Sequence, residues 1–111
     1  MNLLQETIEM LRDNNKTPKD VKWVGGKGVK STWENFAAVA NKEYDDGFGG
    51  QEVAQDLLIV GEDWWLERHE YDGSEWWEFK QLPKEPEKQI VLIKVIGGIW
   101  DNLEAINNND L

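Results

Sequence analysis

Near the start of the chain Leu4, Ile8 and Leu11, with Leu3 beside them, recur at the spacing of one helix face. Asn2 and Gln5 form a capping pair and Asn14-Asn15 suits the stop, so about three turns of helix are expected. Thr17-Pro18-Lys19-Asp20 has the order of a capped single turn feeding a short strand, Val21 to Val24, that ends at Gly25-Gly26-Lys27-Gly28. A second helix is expected from Ser31, which forms a capping box with Glu34, to about Lys42; Trp33, Phe36, Ala37 and Ala40 make its apolar face. Asp-Asp-Gly-Phe-Gly-Gly, from Asp45 to Gly50, then breaks regular structure.

Beyond that break the pattern changes. Leu57-Leu58-Ile59-Val60 opens a three-stranded meander, with Gly61-Glu62 as its first tight turn and Asp72-Gly73 as a two-residue hairpin turn of type I′. That turn sets Tyr71 opposite Ser74, and from it follow His69 opposite Trp76, Arg68 opposite Trp77, Glu67 opposite Glu78, Leu66 opposite Phe79 and Trp65 opposite Lys80. Pro83 and Pro86 end the strand. A final strand, Ile90 to Ile96, is expected in the sheet core with Lys94 at an edge or outward position. After Gly97-Gly98, the spacing of Ile99, Trp100, Leu103 and Ile106 predicts a short helix started by Asp101 and frayed over Asn107-Asn108-Asn109, packing on its own domain or on a partner. The expected fold is α+β: one domain over residues 1–111, with a small antiparallel sheet (the three-stranded meander plus one or two further strands) and two helices on one face.

The pleat sorts the hairpin into two faces. Trp64, Leu66, Trp77 and Phe79, with Arg68 near the end, form the core side; Trp65, Glu67, His69, Tyr71, Trp76, Glu78 and Lys80 form the other. Exposed aromatic rings on a rigid sheet give large contact area at low entropic cost, which makes Trp65, Glu67, His69, Tyr71, Trp76 and Glu78 the candidate partner-binding residues. The competing reading is structural: Trp65 covers its own sheet as a cation–π pair with Lys80, His69 stacks on Trp76, and Leu58 extends a second, partly buried face. Glu67 facing Glu78 is repulsive unless a cation or proton is shared, and Lys80, diagonal to Glu67, is the simplest source of relief.

Charge sharpens this picture. The 111 residues carry 12 Lys and Arg against 22 Asp and Glu, a formal −10. Residues 1–31 hold 6 basic and 4 acidic groups, residues 32–82 hold 3 and 13, and residues 83–111 hold 3 and 5. The excess therefore sits in the middle, where it disfavours direct nucleic-acid binding and favours a protein partner with a basic surface. The bland alternative is that acidity only maintains solubility.

Several chemistries fall away. With no cysteine, disulfides, thiolate metal sites and cysteine nucleophiles are excluded. His69 is the sole histidine, so His69-Glu70-Tyr71-Asp72-Gly73 lacks the second histidine of a zinc-protease motif. A triad of His69 with Ser31 or Ser74 has no elbow or oxyanion-hole helix beside it. Gly25-Gly26-Lys27-Gly28 and Gly47-Phe48-Gly49-Gly50 lack phosphate-loop spacing, and Asp45-Asp46-Gly47 lacks the ligand ladder of an EF-hand. No catalytic residue, cofactor or metal is expected. Apolar runs such as Ile90 to Ile93 are far shorter than the roughly 20 residues that cross a bilayer, and the N-terminus lacks a basic region, so no membrane association and a cytoplasmic location are expected.

The stretch Tyr44-Asp45-Asp46-Gly47-Phe48-Gly49-Gly50-Gln51-Glu52, the run from Trp64 to Phe79, and residues 17–25 together resemble small uncharacterised proteins encoded by phages and prophages of Gram-positive bacteria. The resemblance implies a mobile-element origin and carries no catalytic or binding residue with it. The expected function is a non-enzymatic accessory protein that binds a host or phage protein through its acidic, aromatic sheet face, as an inhibitor of a basic nucleic-acid-binding protein would. Alternatives are a small-ligand module stacking glycans on the exposed Trp and Tyr, an immunity or antitoxin protein, and a weak metal-dependent hydrolase using Glu67, Glu78 and His69. A homodimer, through the uncovered sheet face or the Ile99 to Ile106 segment, is also open.

Overall fold

In the computed structural model, which describes residues 1–47 and 49–108, Asn2 caps helix α1 (Leu3–Asp13) by accepting the Gln5 amide at 2.9 Å. That bond satisfies one of the amides a helix start leaves unpaired. The helix stops at Asn14, and Asn15 follows at φ 60°, a left-handed conformation that asparagine tolerates better than most residues. A 3-10 turn over Pro18–Asp20, boxed by Thr17 and Asp20, leads into β1 (Trp23–Gly26).

This strand begins two residues later than the apolar pattern suggests and runs on into the glycines. The reason is a hairpin that the pattern hides: Gly25 and Gly26 pair with Lys30 and Val29 of β2 (Val29–Ser31). A Cβ on Gly25 would lie 2.3 Å from the Val29 carbonyl oxygen, so only glycine permits the approach. Ser31 is thus a strand residue, and the cap of α2 (Trp33–Ala40) is Thr32, whose hydroxyl accepts the Asn35 amide at 3.1 Å. The helix ends before Lys42 because residues 41–43 turn to the N-terminus: Asn2 donates to Asn41 at 2.9 Å and bridges Glu43, and the Leu3 amide donates to the Lys42 carbonyl.

Strands β3 (Leu58–Val60), β4 (Trp64–Tyr71) and β5 (Ser74–Gln81) form the expected meander, and the whole antiparallel sheet runs β2-β1-β3-β4-β5. Asp72 and Gly73 take φ values of 51° and 86°, both positive as a type I′ turn requires. The hairpin register is the one that turn dictates, from Tyr71 opposite Ser74 to Trp64 opposite Gln81.

One sheet face carries the core. Val24, Ile59, Trp64, Leu66 and Trp77 pack with Leu11 of α1 and Phe36 and Ala40 of α2, while Trp33 and Phe79 flank them, half-buried. Gly61 is buried under Trp64: a Cβ there would lie 2.1 Å from the indole ring. The fold is α+β, with a small five-stranded antiparallel sheet whose two additional strands are β1 and β2.

The expected final strand, Ile90 to Ile96, does not form, and Val91, Val95 and Ile96 stand exposed. The Asn107 side chain takes up the backbone groups a ladder would use: its oxygen accepts the Ile93 and Lys94 amides at 2.6 and 3.0 Å, and its amide donates to the Lys94 and Leu103 carbonyls. Asn107, expected to fray, is therefore buried. The short helix α3 (Leu103–Ile106) is capped by Asn102 rather than Asp101, whose carboxylate accepts the Gly98 amide at 2.7 Å. Phe48, in the expected break, and Asn109, in the expected fraying, lie outside the described residues. Trp100 is 91% exposed, and the radius of gyration is 19.0 Å. A compact domain of this length would measure about 13 Å.

Candidate functional site

Parity on β4 and β5 places Trp65, Glu67, His69 and Tyr71 together with Trp76, Glu78 and Lys80 on the sheet face opposite the helices. The same face continues across β3 and β1, because Val60 is opposite Trp65 and Trp23 is opposite Val60. Trp23, Val60 and Trp65 form a half-buried apolar band, and Leu58, beside Glu67, extends it. Tyr71 is 77% exposed and Trp76 36%. Neither Trp65 nor Trp76 lies beneath a helix.

Glu67 and Glu78 face one another, and each accepts an indole N–H from the residue two positions earlier on its own strand: Trp65 Nε1 to Glu67 at 2.7 Å, Trp76 Nε1 to Glu78 at 3.1 Å. His69 stands between them, Nε2 2.6 Å from Glu67 and Nδ1 3.9 Å from Glu78. The Trp65 indole, then His69, hold the Glu67 carboxyl below the ordinary carboxylate range, and the Trp76 indole does the same for Glu78. Both oxyanions are thus stabilised in charged form at the edges of the indole rings. Lys80, diagonal to Glu67, makes its ion pair with Glu78 instead, at 3.5 Å. After the indoles, His69 and Lys80 each lower both carboxyls.

The sequence carried a signal for this arrangement that residue-by-residue reading passes over: Trp-x-Glu occurs on both strands, at Trp65-Glu67 and Trp76-Glu78. Period-two spacing sets each indole beside its carboxylate, and the hairpin register then brings the two units face to face. Trp23 carries no such signal, because its face depends on a β1 register that no turn residue announces. Among the described residues, no group of three His, Asp or Glu side chains is placed to hold a metal ion.

The inner face holds a second carboxylate cluster. Arg68, whose side chain is wholly buried, donates from Nη2 to Glu75 at 2.8 Å and to the Tyr44 hydroxyl at 3.1 Å, and from Nη1 to Glu6 at 3.4 Å. Its guanidinium lies 4.8 Å from the Trp77 ring centroid, and Trp77 Nε1 donates to Thr7 of α1 at 2.9 Å. Glu75 also accepts the amides of Glu52 and Val53, at 2.7 and 3.2 Å. Burial works against the Arg68 charge, but the bonds from Glu75 and Tyr44 outweigh it and raise its pKa; burial, then the bond to Glu6, raises that of Tyr44. This network fastens α1 and the segment after α2 to the hairpin. Its signal was Glu75, which hairpin parity assigns to the core face beside Arg68.

A groove of about 570 Å³ also opens on the helix side, lined by Leu3, Phe36, Val39, Val53, Ala54 and Leu57. No helix among the described residues is long and apolar enough to cross a membrane. No protein-family model matches the chain, and comparison with curated proteins and with solved structures finds no match.

Proposed function

We propose that the protein is a non-enzymatic binding module whose open sheet face holds an arginine-bearing basic surface of another protein. The observation that carries this reading is the paired Trp-Glu units, Trp65 with Glu67 and Trp76 with Glu78, on the sheet face opposite the helices that pack on the core. A guanidinium fits a carboxylate through two parallel N–H bonds and stacks on an indole, so each unit offers both contacts that arginine uses best. Trp23, Val60 and Trp65 supply the apolar floor beside them. An accessory protein of the phage type, occupying the nucleic-acid-binding surface of a host protein, would need such a face.

An arginine-rich peptide, titrated against the protein by tryptophan fluorescence, tests the reading. Saturable binding that weakens as salt is raised, and that is reduced in Glu78→Gln, is expected. No binding at low salt, or binding of neutral glycans that ignores salt, contradicts it. The second outcome would make the face a sugar-stacking platform.

A further inference from the structure

The outer edge of β5 and the segment 90–96 are complementary, and among the described residues neither pairs with another strand. On β5 the ladder alternates, so residues of one parity bond β4 and those of the other point outward. Glu75 has the outward parity, and its amide donates to the Asp46 carbonyl at 3.1 Å. Trp77, Phe79 and Gln81 share that parity, and among the described residues no backbone bond is made to them from outside the hairpin. A free row of amides and carbonyls is a template for one more strand.

Ile90-Val91-Leu92-Ile93-Lys94-Val95-Ile96 has the composition of such a strand. Val91, Ile93 and Val95, which are 85, 62 and 68% exposed, fall on one face, and Ile90, Leu92, Lys94 and Ile96 fall on the other. Beside β5 the first set would continue the core face of Trp77 and Phe79, while Lys94 would lie on the acidic face with Glu78.

The connection argues against pairing within one chain. Residues 82–89, which contain Pro83 and Pro86 and bend at Glu87, do not bring the segment back onto its own β5 edge in this structure, where residues 90–96 form no ladder. Proline also biases Leu82 and Glu85 toward extended backbone. The connection therefore carries the tail away from its own sheet, along a molecule 60 Å long. A second copy related by a twofold axis can accept it, each chain giving one strand and one edge, so that the exchange closes.

We propose that residues 90–96 are an exchange strand that completes the sheet of a second copy at its β5 edge, and that Asn107 is the latch holding the strand in the unpaired form. By engaging Ile93 and Lys94 together, Asn107 keeps the segment from extending. Releasing the latch favours the dimer.

Light scattering on the full chain reads this directly. Asn107→Ala shifts the population from 12.9 kDa toward twice that mass at lower protein concentration than the unaltered chain requires, and adding Ile93→Asp with Val95→Asp restores the monomer. Because the chain has no cysteine, Glu78→Cys on one copy and Lys94→Cys on another provide a second readout: oxidation of the mixture gives a disulfide between copies. The proposal is overturned if Asn107→Ala stays monomeric, if its dimer survives the two aspartates, or if a chain bearing both cysteines closes only on itself.

Discussion

Glu75 and Glu78 stand three residues apart on β5 and have opposite fates. Glu75 points inward, where it is wholly buried, bonded to Arg68 and saturated by two backbone amides. Glu78 points outward, is more than a third exposed, and is bonded to an indole and a lysine that both reach into solvent. A buried carboxylate with a fixed partner is committed to the fold, because exposing or neutralising it leaves an uncompensated charge. An outer carboxylate that is already ionised, with lone pairs still open to water, is available to a partner. Pleat parity alone decides which role each glutamate takes.

The sharpest way to break this contrast is Arg68→Met, which strands the Glu75 carboxylate in the interior. A loss of about 3–5 kcal/mol is expected in denaturant unfolding, larger than for any outer-face substitution. Gly61→Ala comes next, because the added methyl must displace the Trp64 indole; about 1–3 kcal/mol of destabilisation is expected from the same measurement. Trp76→Ala should instead separate stability from binding: about 2 kcal/mol lost in affinity for the arginine-rich peptide, with unfolding changed by less than about 1 kcal/mol.

The pH response is the smallest effect and distinguishes the faces by sign. Glu67 and Glu78 are depressed in the folded state, so the stability they add is present above the unfolded carboxylate value of about 4.3 and is lost as pH falls through their folded values. Glu67→Gln should flatten the acid limb of a stability-against-pH curve. Tyr44 is raised, so its contribution is present below the unfolded tyrosine value of about 10 and is lost as pH rises through its folded value. Tyr44→Phe should flatten the alkaline limb and leave the acid limb unchanged.

Much of this arrangement is legible in the residues. Asp72-Gly73 is a strong enough signal to set the register of sixteen hairpin residues and the face of each tryptophan on β4 and β5. The β1–β2 hairpin is not legible in the same way, since glycines that pair as strand residues look like a loop until the Val29 carbonyl is seen against Gly25. The Arg68 network escapes because Glu6 and Tyr44 come from distant parts of the chain, and no local spacing brings them to one guanidinium. Ile90 to Ile96 misleads for another reason: its β-forming side chains are real, but Asn107, more than ten residues on, takes the backbone groups that make a strand.

The central claim is that the outward Trp-Glu units meet another molecule while the inward indoles serve the fold. The seven tryptophans give side-chain N–H resonances that can be followed separately by NMR as the arginine-rich peptide is added. The signals of Trp65 and Trp76 should move and saturate together while those of Trp64 and Trp77 stay in place. Movement confined to Trp64 and Trp77, or no movement at any concentration, would contradict it.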